Sequence, residues 1–381
     1  VMFEFDGSAS YQLKRQARAL TALEGDTDHN RFLVASLELR EANELQVLDF
    51  NEDTNEVVCM RAYTHPHETW HIASCPAPEH VELVTTVYST GTEQRTTLWR
   101  LGGLEEASAA PDGTGAPPAP PSATPPSELL QLGGAMELGE CRGVLWNAVL
   151  PEQVCVLREG ALSAFQLSHG GAASSAADLA TISLGEQDWG GASFACGRWD
   201  PHHAHSLALG CERALVSVDM RSMKRAHGIQ DAHQQALRSI DYNPNKPNVL
   251  LTCADDYAIR YWDLRKPAAP LLTQKAHSHS VTAALYNRFH DQLVLSAGTD
   301  SAVKLWRVGS ISSAPSSFEP EEEATADSDA DGLVKVFDEH DQSIFGLAWS
   351  AADAWIFASL SLDGRAIVNH VPPAEKYKIL L

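Results

Sequence analysis

The segment from His233 to Asp263 reads HQQALRSIDYNPNKPNVLLTCADDYAIRYWD, and its polar residues follow a spacing that recurs twice more in the chain. Thr252, Asp256 and Trp262 lie 19, 23 and 29 residues after His233. The same three offsets give two further sets, which are His277, Ser296, Asp300 and Trp306, and His340, Ser359, Asp363 and Asn369. This part of the chain is therefore built from a repeated structural unit.

The residue types in each set can hydrogen-bond to one another in a buried chain of carboxylate, imidazole, hydroxyl and indole N–H. Each such bond contributes about 0.5–1.5 kcal/mol, and an unpaired buried member costs more. Sets of this kind are typical of WD-repeat blades, which are sheets of four short antiparallel strands arranged radially. The spacing predicts an all-β, seven-bladed WD-repeat β-propeller in which the sets are structural.

A catalytic or metal-binding interpretation is disfavoured by the same residues. A Ser, a His and an Asp in one set could suggest a hydrolase triad, but the set occurs three times and no G-x-S-x-G elbow exposes a nucleophile. His202, His203 and His205 could hold a metal ion, yet no Cys pair or acidic residue is spaced to complete the site, so we interpret them as a turn. We predict a protein that is not an enzyme and that carries no metal or cofactor.

Chain length defines the domain organisation. Seven blades of roughly 40–45 residues need about 300 residues, and the chain has 381. We predict one domain over residues 1–381, with loop insertions at 102–128 (rich in Pro and Ala), 168–178 (rich in Gly, Ala and Ser) and 309–332 (acidic). The third blade is irregular, with Phe165 where Trp is expected. Lys376 to Leu381 and Met2 to Phe5 are the strands predicted to close the ring.

Charge and cysteine content indicate the cellular setting. A net charge of -22 repels nucleic-acid phosphates and anionic lipid headgroups, which disfavours direct binding to either. No run of about 18 apolar residues could span a bilayer. The seven cysteines never form a C-x-x-C pair, which argues against a disulfide framework and a zinc site. We predict a cytoplasmic protein in a reducing compartment.

A second motif suggests a different class of function. Trp262 to Arg265 reads W-D-L-R, and Val218 to Arg221 is a degenerate version of it. The W-D-x-R ending resembles the docking motif of WD-repeat substrate receptors in cullin-RING ubiquitin ligases. There, Arg265 and Arg221 would fork onto carboxylate or carbonyl groups of the ligase adaptor. The plain alternative is that Arg is common after a strand.

Beyond the generic repeat, further segments resemble the family of WD-repeat proteins that interact with the EARP and GARP complexes. The similarity runs in order from about residue 11 to the end of the chain. The segments that carry it are Gln16–Leu20, Trp70–Ile72, Gly197–Trp199, Pro201–His203, Arg221–Met223, Asn243–Lys246, His290–Leu293, Phe357–Ser361, Asp363–Arg365 and Lys376–Leu381.

The resemblance implies a seven-bladed propeller that binds the endosome-associated recycling and Golgi-associated retrograde tethering complexes. It implies a scaffold role in endosomal recycling and retrograde transport, located peripherally at endosomes and the trans-Golgi network through protein partners, and monomeric outside its complexes. It implies no partner-contacting residues by motif. The expected function is therefore a non-catalytic protein–protein interaction scaffold, and the alternative is a ubiquitin-ligase substrate receptor.

Overall fold

Short apolar segments, separated by turns, form strands of four to eleven residues in the computed structural model of the chain. It describes residues 7–39, 41–104, 121–133, 139–170, 173–183, 193–313 and 331–381.

The strands of the first half are β1 (Ala9–Gln12), β2 (Ala17–Ala22), β3 (Asn30–Ser36), β4 (Asn43–Asn51), β5 (Glu56–His65), β6 (Glu68–Ser74), β7 (Leu83–Ser89), β8 (Gln94–Arg100), β9 (Ser127–Gln131), β10 (Cys141–Trp146), β11 (Gln153–Arg158), β12 (Ala161–Gly170) and β13 (Ala173–Ser183). Those of the second half are β14 (Phe194–Trp199), β15 (Ser206–Cys211), β16 (Ala214–Asp219), β17 (Lys224–Ile229), β18 (Leu237–Tyr242), β19 (Val249–Ala254), β20 (Ala258–Asp263), β21 (Leu272–Lys275), β22 (Val281–Tyr286), β23 (Leu293–Gly298), β24 (Val303–Val308), β25 (Asp331–Phe337), β26 (Ile344–Trp349), β27 (Ile356–Ser361) and β28 (Arg365–His370). Among the described residues, the helices are α1 (Pro373–Leu380) and two 3-10 turns, Pro78–His80 and Gly309–Ile311.

These strands form seven four-stranded antiparallel sheets, which confirms the predicted seven-bladed propeller. Six sheets take four consecutive strands each, from β2–β5 to β22–β25. The innermost strands β2, β6, β10, β14, β18, β22 and β26 contact one another around the ring. We call the face where these innermost strands begin the upper face. Because the strands alternate in direction, the connection from the third to the outermost strand of a blade lies on the opposite, lower face.

The seventh sheet closes the ring with strands from both ends of the chain, in the order β1-β28-β27-β26. The strand predicted over Lys376 to Leu381 is wrong, because these residues belong to α1 and Leu381 after it. Glu375 of this helix is buried and forms an ion pair with Arg307 of the sixth blade. The N-terminal partner is Ala9–Gln12, whereas the predicted Met2 to Phe5 lie outside the described residues.

The predicted insertions have different outcomes. The loop expected at 168–178 is wrong for its described residues, because β12 and β13 pair along their whole length and form a long hairpin there. Residues 127–128 of the first insertion already belong to β9, and 331–332 of the third belong to β25. Thr124 pairs through its backbone with Ala62 and Thr64 on the outer strand of the first blade. Residues 105–120 and 314–330 lie outside the described part.

Two kinds of contact hold neighbouring blades together. Apolar side chains pack between adjacent sheets, as Leu33 and Tyr63 of the first blade do with Trp99 of the second. On the lower face, buried polar side chains at the ends of innermost strands reach the next blade. Their bonds are Asn147 Nδ2 to Ala204 O (2.9 Å), Asn243 Nδ2 to Asp291 Oδ2 (2.8 Å), Asn287 Nδ2 to Ala354 O (2.6 Å) and Ser350 Oγ to Asn30 Oδ1 (2.6 Å).

Candidate functional site

The first two repeated sets form the predicted chains of hydrogen bonds. In the fifth blade, Nδ1 of His233 lies 2.9 Å from Oδ1 of Asp256, and Nε2 lies 2.8 Å from Oγ1 of Thr252. Trp262 Nε1 donates to the same hydroxyl oxygen at 2.9 Å. Because a carboxylate can only accept, the Nδ1–H of His233 donates to Asp256.

The second set repeats this geometry in the sixth blade. Nδ1 of His277 lies 2.8 Å from Oδ1 of Asp300, and its Nε2 lies 2.7 Å from Oγ of Ser296. Trp306 Nε1 donates to Ser296 at 2.9 Å. Both imidazoles are buried, and each is held by neighbouring strands of its own sheet and by the turn carrying the Asp. Thr252 and Ser296 are themselves fully buried, so these sets connect parts of one sheet rather than present a hydroxyl to a substrate.

Electrostatics agree with a structural role. Burial would raise the pKa of Asp256, but the hydrogen bonds from His233 and the Gln234 amide, with the nearby positive charges, outweigh burial and lower it to about 2. Burial lowers the pKa of His277, although Asp300 opposes it. The carboxylate of Asp256 is therefore ionised at neutral pH. The imidazole of His277 is neutral there.

The third set departs from the prediction of equivalence. Nε2 of His340 lies 2.8 Å from Ser359 Oγ as expected, but Nδ1 lies 2.8 Å from Ser361 Oγ rather than from Asp363. Ser361 in turn donates to Asp363 Oδ1 at 2.5 Å, so the carboxylate acts through an intervening hydroxyl. Asn369 stands in the Trp place, and its buried Nδ2 has no hydrogen-bond partner among the described residues.

A fourth set, in the second blade, escaped sequence reasoning in part. Nε2 of His65 lies 3.2 Å from Thr86 Oγ1, and Trp99 Nε1 donates to that oxygen at 2.8 Å. Thr86 follows His65 by 21 residues rather than 19, so the fixed offsets missed it. The carboxylate is replaced by the backbone carbonyl of His67, 2.8 Å from His65 Nδ1.

The two arginines of the W-D-x-R segments lie on the lower face, each folded onto its own aspartate. Arg265 donates from Nε to Asp263 Oδ1 at 2.9 Å and from a terminal nitrogen to Oδ2 at 2.7 Å. Arg221 pairs with Asp219 in the same way at 3.2 Å. The side chains are 62% and 71% exposed. A docking partner would have to compete with these internal pairs for the guanidinium groups.

The histidines considered for a metal site form turn contacts instead. His202 Nε2 lies 2.9 Å from the Asn243 carbonyl oxygen of the next blade, and His203 Nδ1 lies 2.9 Å from Asp200 Oδ2. Their ring nitrogens therefore serve different partners. Over the described ranges, no group of three or more His, Cys, Asp or Glu residues could hold a metal ion.

The upper mouth of the central channel is the surface that sequence reasoning did not find. Every innermost strand has a register shift near its start that leaves one residue out of the ladder. A β-bulge of this kind re-aims a side chain. In ring order the seven residues are Arg18, Trp70, Arg142, Ala195, Arg238, Thr282 and Phe345.

A signal for these positions was available in the sequence. In the blades with a leading histidine, the bulge residue follows it by five, as Arg238 follows His233 and Trp70 follows His65. Inside the ring lies a cavity of about 490 Å³, whose lining includes Arg142, Arg238 and Arg288. The mouth is thus rich in guanidinium and aromatic groups.

None of the helices formed by the described residues is long and apolar enough to cross a membrane. All seven cysteines are free. Burial raises the pKa of Cys75 to about 11 and of Cys196 to about 12, so neither thiol is a nucleophile at neutral pH.

Comparison with known proteins gives a family over most of the chain. Residues 6–306 match the family described as EIPR1 beta-propeller, and residues 331–368 match the WD domain, G-beta repeat. The EARP and GARP complex-interacting protein 1 of Rattus norvegicus is 35% identical, over 99% of this chain and 100% of its own. The EARP-interacting protein homolog of Gekko japonicus is 33% identical over the same shares. The WD repeat-containing protein DWA2 of Arabidopsis thaliana is 31% identical over 95% of this chain and 96% of its own.

Proposed function

Because this chain belongs to the family of EARP and GARP complex-interacting β-propellers, we propose that it is a non-catalytic interaction scaffold for the EARP and GARP tethering complexes. Its role would be to support endosomal recycling and retrograde transport to the trans-Golgi network. The observation that carries the proposal is the similarity to proteins of that name over 99% of the chain. The side chains of the repeated Ser, His and Asp residues hydrogen-bond to one another within the blades, which is consistent with a non-catalytic role.

We place the protein in the cytoplasm, peripherally at endosomes and the trans-Golgi network through its partners, and as a monomer outside its complexes. Seven free cysteines favour a reducing compartment. A net charge of -22 disfavours direct attachment to anionic lipids. Membrane recruitment would therefore pass through a protein partner.

The rival function is a substrate receptor of a cullin-RING ligase, which would use Arg265 and Arg221. The pairing of each guanidinium with its own aspartate weighs against it, because adaptor docking would have to break that bidentate contact. The two functions make opposite predictions for one substitution.

The test is affinity purification of the tagged full-length protein from its native cell, with identification of the captured proteins. We expect EARP and GARP subunits in the wild-type sample and in an Arg265→Glu sample at similar amounts. Capture of a ligase adaptor without tether subunits, abolished by Arg265→Glu, would replace the proposed function with the rival one.

A further inference from the structure

The upper mouth carries an arginine, Arg18, that has no carboxylate partner among the described residues. Arg18 is half-buried, and its guanidinium carbon lies 4.4 Å from the ring centroid of Phe345 and 5.4 Å from that of Trp70. These aromatic residues belong to the two neighbouring blades, so the cation sits between rings from both sides. Within the described ranges no ion pair or hydrogen bond to this side chain is present.

The other arginines at the mouth and in the channel each face an acid. Arg142 pairs with Glu159, Arg238 with Asp255 at 2.7 Å, Arg198 with Asp241 at 3.0 Å, and Arg288 with Glu24. Arg18 is therefore the uncompensated cation of this surface, judged over the described residues. Its like-charged neighbours also affect it: burial, then the charges of Arg238 and Arg142, lower the pKa of Arg18.

The geometry suits a carboxylate. A guanidinium that lies over aromatic rings uses its face for that contact and keeps its N–H groups at its edge, where they can fork onto two oxygens. Trp70 is 38% exposed beside it and offers an apolar surface to whatever residue accompanies the acid. Aromatic and Arg side chains together are the residue types enriched at binding hot spots.

The charge balance selects one carboxylate over a more highly charged ligand. The local excess is a single positive charge, which one Asp or Glu neutralises. A phosphorylated residue brings about two negative charges, and a nucleic acid or anionic membrane brings many more to a protein of net charge -22. The positive mouth on an otherwise acidic protein would also orient an acidic segment during approach.

We propose that Arg18, between Trp70 and Phe345 at the upper mouth of the channel, binds an Asp or Glu side chain on an acidic segment of a tethering-complex subunit. An apolar residue next to that acid would pack on Trp70. This inference deepens the proposed function and rests on it, since it names the surface that the tethering complex would use.

The test measures the affinity of purified full-length protein for purified EARP complex. Arg18→Met keeps a long apolar side chain between the rings but removes the guanidinium N–H groups that would bind the carboxylate. We expect it to weaken binding by about tenfold or more. Arg265→Met is the matched control on the lower face, and we expect wild-type affinity. The melting temperature of Arg18→Met should lie within about 2 °C of the wild-type value.

The possible failures are distinguishable. If the wild-type protein binds neither EARP nor, in the same assay, GARP, the proposed function itself is overturned. If the wild type binds and Arg18→Met binds equally well, the function stands and the assignment of this surface is wrong. Phosphatase treatment of the EARP complex should leave the affinity unchanged; loss of binding after it would assign the site to a phosphorylated residue and contradict the carboxylate.

Discussion

Asp256, Asp300 and Asp363 occupy the same position in the repeat but differ in how they hydrogen-bond to the histidine of their set. The first two accept a hydrogen bond directly from a buried imidazole, at 2.9 and 2.8 Å. Asp363 reaches His340 only through Ser361. Removing the carboxylate therefore strands a buried imidazole donor in two blades but leaves the donor of His340 with a hydroxyl partner in the third.

We predict that Asp256→Ala and Asp300→Ala each lower the free energy of unfolding by about 1–3 kcal/mol, and that Asp363→Ala lowers it by less. Urea unfolding of the three variants under one set of conditions gives the comparison. Equal losses in all three, or none in the first two, would contradict the assigned hydrogen bonds.

His340 makes stability depend on pH. Burial lowers its pKa to about 4, below the ordinary value of about 6.5 in an unfolded chain. Between these pH values the unfolded state binds more protons than the folded state. The contribution of neutral His340 to the free energy of unfolding is therefore fully present above pH 6.5 and is lost as the pH falls towards 4. A shift of this size corresponds to roughly 3 kcal/mol over the whole window.

We predict that His340→Gln is less stable than the wild type at pH 7 but loses less further stability between pH 6.5 and 4.5. The reason is that the variant lacks one group that takes up a proton on unfolding. Urea unfolding at several pH values measures both slopes. Parallel slopes for the two proteins would show that His340 does not titrate as described.

How well each strand could be predicted depended on its local pattern of apolar and turn residues. The first three strands of the fourth blade are Phe194–Trp199, Ser206–Cys211 and Ala214–Asp219. Their bounds can be read from the sequence, because short apolar segments are flanked there by turn residues. Tyr377, Ile379 and Leu381 alternate like a strand, yet Pro373 starts a helix whose Glu375 pairs with Arg307. Such a long-range contact has no local signature.

The bulges and the closing strand were hidden for similar reasons. A bulge is defined by how a strand pairs with the next strand, and a single sequence does not show this pairing. The spacing of five residues from the leading histidine to Arg238 or Trp70 was the one repeated signal. The ring-closing strand is chosen by which segment meets β28. The hydroxyl of Ser361 between His340 and Asp363 likewise depends on three-dimensional placement.

The Pro-rich insertion gives a prediction at this scale. Replacing residues 105–120 by a Gly/Ser segment of equal length should change the free energy of unfolding by less than about 0.5 kcal/mol, because a Pro- and Ala-dominated sequence has little apolar area to bury. Extending the replacement to residues 104–126 should cost about 1–3 kcal/mol, since it also removes buried Leu104 and the pairing of Thr124 with the first blade. Poor solubility of the shorter replacement would contradict this.

For the whole molecule, the two faces of the ring have different chemistry. The upper mouth combines uncompensated Arg18 with Trp70 and Phe345, whereas Arg265 and Arg221 on the lower face are neutralised by their own aspartates. We therefore expect binding to a tethering complex to depend on the upper face. Substitutions on the lower face should leave it unchanged.

Association with the tethering complexes is measured most directly by size-exclusion chromatography with light scattering, on purified full-length protein mixed with purified EARP or GARP complex. We expect one co-eluting species of summed mass, formed equally by wild type and Arg265→Glu. Separate elution of the protein and both tethering complexes would contradict it.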